Sequence, residues 1–300
     1  MRVALVGSTG SGKSSVAMAA ARELGDVEVV SIDSMQVYRR MNIGTAKASD
    51  EERAEVDHHL LDIVDPCDEF TVAEFRDRYA SAIGEIAERG HQALLVGGTG
   101  LYHRVVIDDF DLPGEWPNIR SELETEPDTA TLYDRLLTLD PEAADKMDPG
   151  NRRRVIRALE VTIGSGHPFS TFGPGVDFYP ESEVVQLGLR WPRPVLAARI
   201  EERVHQMIDS GLIAEVGALA EGGLSRTAAQ AIGYKETLEH LNGDLGQDEA
   251  IEKIITRTRQ FAVRQERWFR RDPRVRWIDI EDDPVAEAAP VVVNTFNALP

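Results

Sequence analysis

The stretch that decides the fold is VALVGSTGSGKSSVAMAAA, residues 3–21, and within it GSTGSGKS, Gly7 to Ser14. Glycine, four residues, then Gly-Lys-Ser is the spacing of a phosphate-binding loop. VALVG (3–7) reads as a buried strand feeding the loop, and Lys13 to Leu24 as the helix that follows. In that context the backbone N–H groups of residues 9 to 14 can wrap a diphosphate, helped by the dipole at the helix N-terminus. Gly7, Ser8, Thr9, Gly10, Ser11, Gly12, Lys13 and Ser14 are therefore the candidate phosphate cradle. Lys13 brings a charge to the terminal phosphate, and the hydroxyl of Ser14 or Ser15 can join a Mg²⁺ shell. Most such loops hold ATP or GTP. Which phosphate compound this one holds is a question for the rest of the chain.

Working outward, VEVVSID (27–33), HLLDIV (59–64) and ALLVGG (93–98) read as further strands. They alternate with helical stretches, among them Thr71 to Glu88, whose Val72, Phe75, Tyr79, Ile83 and Ile86 share one stripe. Such alternation implies a parallel sheet with helices on both faces. Composition shifts near Asp108, where DDFDLPGEWP is acidic and carries two prolines. Asn118 to Ile163 reads as helical, GSGHPFSTFGPG (164–175) as a return, and VVQLGLRW (184–191) as a strand again. Arg193 to about Gln265 is helical, and VRWIDI (275–280) closes the sheet. The predicted fold class is α/β: a P-loop NTPase-like parallel core, residues 1–112 and 183–300, with a small helical domain, 113–182, inserted into it. The acidic, alanine-rich tail after Asp282 carries no reading.

The chain has 300 residues, enough for a full core and a second small domain. Its single cysteine, Cys67, excludes an internal disulfide and fits a reducing compartment. No apolar run approaches the length of a membrane span, and the first strand leaves no room for a signal peptide. These features predict a cytosolic protein with no membrane contact; the lack of a heptad seam points to a monomer. The net charge of −19 argues against nucleic acid as a partner. Its distribution argues the other way: Lys253 to Arg276 holds nine Lys or Arg against Glu266 and Asp272. NRRRVIR, Asn151 to Arg157, is a second basic run, so the footprint of a polyanion and a pair of solvated helix faces both stand.

An ordinary ATPase or GTPase needs an acidic residue ending a hydrophobic strand to help hold the metal. Here ALLVGG ends in Gly97-Gly98-Thr99, and Asp62 and Asp65 in LLDIVD are weak substitutes. Asp33 ends the second strand at the carboxyl edge where parallel sheets place their sites. It could hold Mg²⁺ indirectly, take a proton from a nucleophile, or serve as a turn or N-cap aspartate. Thr99 stands at another strand end, between glycines that permit close approach of a ligand. His58 and His59 invite a metal reading, but adjacent residues of a strand point to opposite faces and no third ligand is spaced to join them. Arg199 and Arg203 share a helix face, as a clamp on a diphosphate or as an ion-paired surface. TRQFAVRQERWFRR (258–271) interleaves arginines with Phe261, Trp268 and Phe269, which suits RNA or a helix core face equally.

Taken in order, these stretches resemble the bacterial tRNA dimethylallyltransferases, also called tRNA isopentenyltransferases. The resemblance rests on GSTGSGKS, SIDSMQVYRRMNIGTAKAS (31–49), HHLLDIVDP (58–66), FTVAEFRD (70–77), LLVGGTGLY (94–102), NRRRVIRALEV (151–161), QAIGYKE (230–236) and TRQFAVRQERWFRR. It implies that the loop holds dimethylallyl diphosphate, with Mg²⁺, and that the dimethylallyl group passes to N6 of adenosine 37 beside the tRNA anticodon. By motif, Asp33 is similar to the general base, Arg203 to the arginine that grips the diphosphate, and Thr99 and Arg120 to two further site positions. Asp33, Ser34, Met35 and Gln36 match a tRNA-contacting segment. So do Arg153, Arg154 and Arg157 and the Gln230, Gly233, Tyr234 and Lys235 stretch, while Arg259, Arg264 and Arg267 are the tRNA candidates of the arginine–aromatic run. The sequence departs at Asp57, where a proline is usual, and in its strongly negative body, which would sharpen salt sensitivity. Two alternatives stay open: a P-loop kinase for a small metabolite or nucleoside, and an RNA-binding module with a relic loop.

Overall fold

The computed structural model describes residues 2–109, 112–173, 175 and 178–299. Phe110 and Asp111 of the acidic exit, and Pro174 of the glycine-rich return, lie outside the described residues. Six strands form one sheet: β1 (Arg2–Gly7), β2 (Val27–Ile32), β3 (His58–His59), β4 (Gln92–Gly97), β5 (Val184–Arg190) and β6 (Val275–Asp279). Their order is β3-β2-β4-β1-β5-β6 and every pairing is parallel. A sheet covered on both faces needs strands that are apolar throughout, and β1, β2 and β4 are buried along nearly their whole length. Because all strands run one way, Gly7, Ile32, Gly97 and Arg190 finish at the same edge.

The helices are α1 (Lys13–Leu24), α2 (Asp50–Glu55), α3 (Val72–Glu88), α4 (Gly100–Ile107), α5 (Pro117–Glu124), α6 (Thr129–Leu139), α7 (Pro141–Asp145) and α8 (Arg152–Ser165). They continue with α9 (Arg193–Asp209), α10 (Leu212–Gly222), α11 (Arg226–Ala229), α12 (Tyr234–Leu241), α13 (Gln247–Phe269) and α14 (Pro284–Asn297). α3 starts at a capping box, in which Thr71 and Glu74 satisfy each other's backbone N–H, and it buries Phe75, Tyr79, Ala82 and Ile86. The chain divides into two compact units, Met1–Asp108 with Glu181–Pro300, and Asp109–Pro180. The second unit is helical, α5 to α8, around Leu123, Leu132, Leu136, Val155 and Leu159.

Two sequence expectations are corrected. The strand expected over 59–64 is only His58–His59: Leu60 (φ 63°) and Asp62 (φ 56°) turn left-handed and break the extended run. The helical run from Arg193 is five helices, separated in part by Gly211 and Gly223 in positive-φ backbone. The unread tail is α14, whose Ala288, Ala289, Val292 and Phe296 pack along the alanine face of α1.

At the other edge of the sheet, Glu28 of β2 is buried. Arg89 grips both carboxylate oxygens (2.8 and 2.6 Å), with His59 at 2.5 Å and His91 at 2.8 Å. Arg89's hydrogen bonds above all, then those of the histidines, hold the Glu28 carboxyl at about 2 against a burial that pushes it up. A carboxyl lowered from 4.5 stabilises the fold above pH 4.5, and that stability is lost as pH falls towards 2. Glu28→Gln should therefore cost about 2 kcal/mol at pH 7, below the roughly 3–5 kcal/mol of a wholly buried pair because Arg89 and His91 reach solvent. Urea titrations at pH 7 and pH 3 check this: the wild type should keep less than half of its advantage over the variant at the lower pH.

Candidate active site

The loop between β1 and α1 is shaped by Gly10 (φ 78°) and Gly12 (φ 89°), left-handed positions that favour glycine. A Cβ on Gly12 would press on Pro284 of α14, and one on Gly10 on Ile200 of α9. Side chains from far along the sequence then fix the loop. Trp191 Nε1 donates to the Ser11 carbonyl (3.0 Å), and Arg199 Nε to the Gly10 carbonyl (3.1 Å) while its guanidinium stacks on the Trp191 ring. The Thr9 N–H donates to Gln265 Oε1 at 2.8 Å. Lys13 Nζ turns back to the Ser8 carbonyl at 2.7 Å. Of the amides expected to wrap a ligand, Thr9's is thus committed to Gln265, and Ser11's to the Ser8 carbonyl (3.3 Å).

Lys13 lies close enough to Arg203 and Asp33 to feel both charges, and Arg203 feels that of Asp33. Burial, and after it the Arg203 charge, bring the Lys13 ammonium down to about 7, with Asp33 pulling the other way. Burial likewise lowers Arg203, again opposed by Asp33. Arg203 comes from α9, where it stands one turn beyond Arg199. Of the two arginines on that face, Arg199 holds the loop from outside, and Arg203 is the one electrically coupled to Lys13.

Asp33 follows β2 directly. Its Oδ1 accepts from Met35 N (2.8 Å) and Gln36 N (3.3 Å), the turn role that the sequence allowed. Its Oδ2 makes no hydrogen bond among the described residues. Thr99, at the N-cap of α4, accepts from Ser34 N (3.2 Å) and so ties the end of β4 to the end of β2. Gln36 is turned inward: its oxygen accepts from Ser31 Oγ and its amide donates to the Thr45 carbonyl. Ser14 is exposed in the first turn of α1. His58 and His59 diverge, to the Val56 carbonyl and to Glu28, and no cluster of three or more His, Cys, Asp or Glu is placed to hold a metal among the described residues.

The IPP transferase family model matches residues 36–272. The tRNA dimethylallyltransferase of Pseudarthrobacter chlorophenolicus is 47% identical over 96% of this chain and 96% of its own. The chain belongs to the IPP transferase family. The tRNA isopentenylpyrophosphate transferase of Bacillus halodurans superposes with a TM-score of 0.72 at 40% identity, over 99% of this chain and 95% of that one. A eukaryotic dimethylallyltransferase, captured in crystals acting on tRNA, gives 0.82 at 28% identity, over 99% and 78%. The fold is accordingly P-loop NTPase-like.

For an IPP transferase, the remaining candidates divide sharply by what already holds them. Arg153, Arg154, Arg264 and Arg267 are exposed and make no ion pair among the described residues, though Arg264 lies 5.7 Å from the Phe261 ring. Arg259 is clasped to α9 through the Ala197 carbonyl and Glu201. In the second unit Arg157 donates to the Pro113 carbonyl (2.7 Å) and Arg120 reaches Glu124. Both also converge on the buried Glu160. Gln230 is exposed, with Lys235 beside it (3.3 Å), and the Gly233 N–H is taken by Glu236. Tyr234 is a correction to the expected tRNA-contacting set. It is fully buried, its ring fills the space beside Gly44, and its hydroxyl donates to Glu215 at 2.5 Å. Glu215 in turn receives the N–H groups of Asn42, Ile43 and Gly44, so Tyr234 braces that loop from inside. The sequence reading missed Gln265 altogether.

The lowered Lys13 makes a pH prediction. An anion in the loop restores the ammonium, so binding takes up a proton where the free protein's Lys13 is neutral, above about pH 7. Affinity for inorganic diphosphate, divided by that of Lys13→Arg to cancel the ligand's own titration, should be level below pH 7. It should then fall up to tenfold per unit above it. Calorimetry from pH 6 to 9 reads the ratio.

Proposed function

We propose that this protein is a cytoplasmic enzyme that transfers the dimethylallyl group of dimethylallyl diphosphate to N6 of adenosine 37 in the anticodon stem-loop of tRNA, releasing diphosphate. The observation that carries the proposal is the electrostatic coupling of Lys13, at the end of the glycine loop, to Arg203 of α9 and to Asp33 at the end of β2. An allylic diphosphate departs as an anion while positive charge grows on the allyl carbons. Two cations and the loop amides stabilise the departing oxygens. Asp33, held by one oxygen, offers the other to the N6 proton. An exocyclic amine is a weak nucleophile, so alignment within about 3–3.5 Å of the allyl carbon carries much of the rate. The adenine must leave its loop to reach such a site, which suits recognition of single-stranded RNA.

Mg²⁺ suits the site: the Ser14 hydroxyl and the oxygens of a diphosphate make an all-oxygen donor set. When bound, the ion supplies further positive charge to the leaving group. Relatives named tRNA dimethylallyltransferase at 43–47% identity favour prenylation over the kinase alternative, and β4 ends without the acidic residue that a nucleotide hydrolase needs.

Incubation with labelled dimethylallyl diphosphate and unmodified tRNA, without ATP, should place label in the tRNA. Phosphoryl transfer from ATP would favour the kinase instead, and binding without turnover the RNA module. Asp33→Ala should lower kcat by roughly 10² to 10⁴ with tRNA affinity retained; equal losses in both would contradict the base role. Arg264→Ala with Arg267→Ala should weaken tRNA binding and reduce the salt slope by roughly 1 to 2, read by filter binding from 50 to 200 mM salt.

A further inference from the structure

Gln265 stands in the run RQER, whose two arginines are exposed, yet it is buried. Both ends of its carboxamide are used: Oε1 accepts the Thr9 N–H and Nε2 donates to the Gly98 carbonyl, each at 2.8 Å. The reverse orientation would set two donors and two acceptors face to face, so the pairing fixes which way the amide points. One turn further along α13, Trp268 lies against Gly100. A Cβ on Gly98 would overlap Gln265 Nε2, and one on Gly100 would overlap the indole. The glycines around Thr99 thus leave room for two side chains of α13. Thr99, between them, holds Ser34 beside Asp33.

We propose that Gln265 is a positioning residue for the transfer. Its carboxamide sets the separation between the loop that grips the leaving group and the turn that steadies the proton acceptor. The proposal rests on the transferase reading above. Arg264 and Arg267 flank Gln265 on the same helix. A rigid element that meets RNA on its outer face therefore registers both halves of the chemistry on its inner face. Without this spacer the two loops keep their own ligands but lose their mutual alignment, and a misplacement of about 1 Å costs on the order of 100-fold in rate.

Gln265→Met keeps length and volume while removing donor and acceptor. Gln265→Glu keeps an acceptor for Thr9 but sets a carboxylate against the Gly98 carbonyl. Transfer kinetics, tRNA binding and Tm are measured for both and for the wild type. Gln265→Met should lower kcat by about 100-fold and raise the KM for dimethylallyl diphosphate, with tRNA affinity unchanged. Gln265→Glu should recover the donor KM while kcat stays low. If Gln265→Met fails to fold, Gln265→Ala, which leaves space for water, is held to the same outcome. A folded variant with wild-type kcat and donor KM, or one whose only defect is a lower Tm, overturns the proposal. Absence of transfer in the wild type overturns the transferase reading itself, so the two failures are distinguishable.

Discussion

Two cations that repel each other, Lys13 and Arg203, are held at one sheet edge, with Asp33 offsetting part of the repulsion. Left to itself such a pair would swing apart into water. The surrounding packing prevents it. Trp191 and Arg199 clasp the loop carbonyls, Gln265 takes a loop amide, and α9 delivers Arg203 from a helix that is itself anchored by Arg259. The lowered Lys13 reflects that arrangement, burial first and the Arg203 charge second, and an anion would relieve both.

The parallel sheet is what lets residues so distant in sequence meet. Strands β1, β2 and β4 end side by side, so the phosphate loop, Asp33 and Thr99 share an edge without any local design. Arg203 and Gln265 come from later helices. Each reaches the site through a helix face whose other residues are ordinary core, Ile200 and Val204 on α9, Ala262 and Phe269 on α13.

The loop, the apolar strands and the stripe of α3 were plain in the sequence, because glycine spacing and periodicity are local signals. What escaped was long-range. The basic stretch from Lys253 looked like an exposed cationic patch, yet Arg257 pairs with Glu236, Arg259 with Glu201 and Arg274 with Asp108. Acids far off in the chain neutralise part of it, while Arg264 and Arg267 stay exposed. Tyr234 lay in a motif associated with tRNA, and nothing adjacent announced that Glu215 and Gly44 would bury it. Gln265 has no signature of its own. Its trace was Gly98, beside Thr99, which signalled a close neighbour without saying which. The tail escaped because alanines look featureless until they meet the alanines of α1.

The clamps on the glycine loop arrive late in synthesis. A ribosome completes residues 7–14 long before Trp191, Arg199, Gln265 or Pro284 exists, so the nascent chain carries the motif without its supports. A messenger cut short before α13 would encode a recognisable motif and a failed cradle. The shape of the loop in this molecule depends on the whole polypeptide.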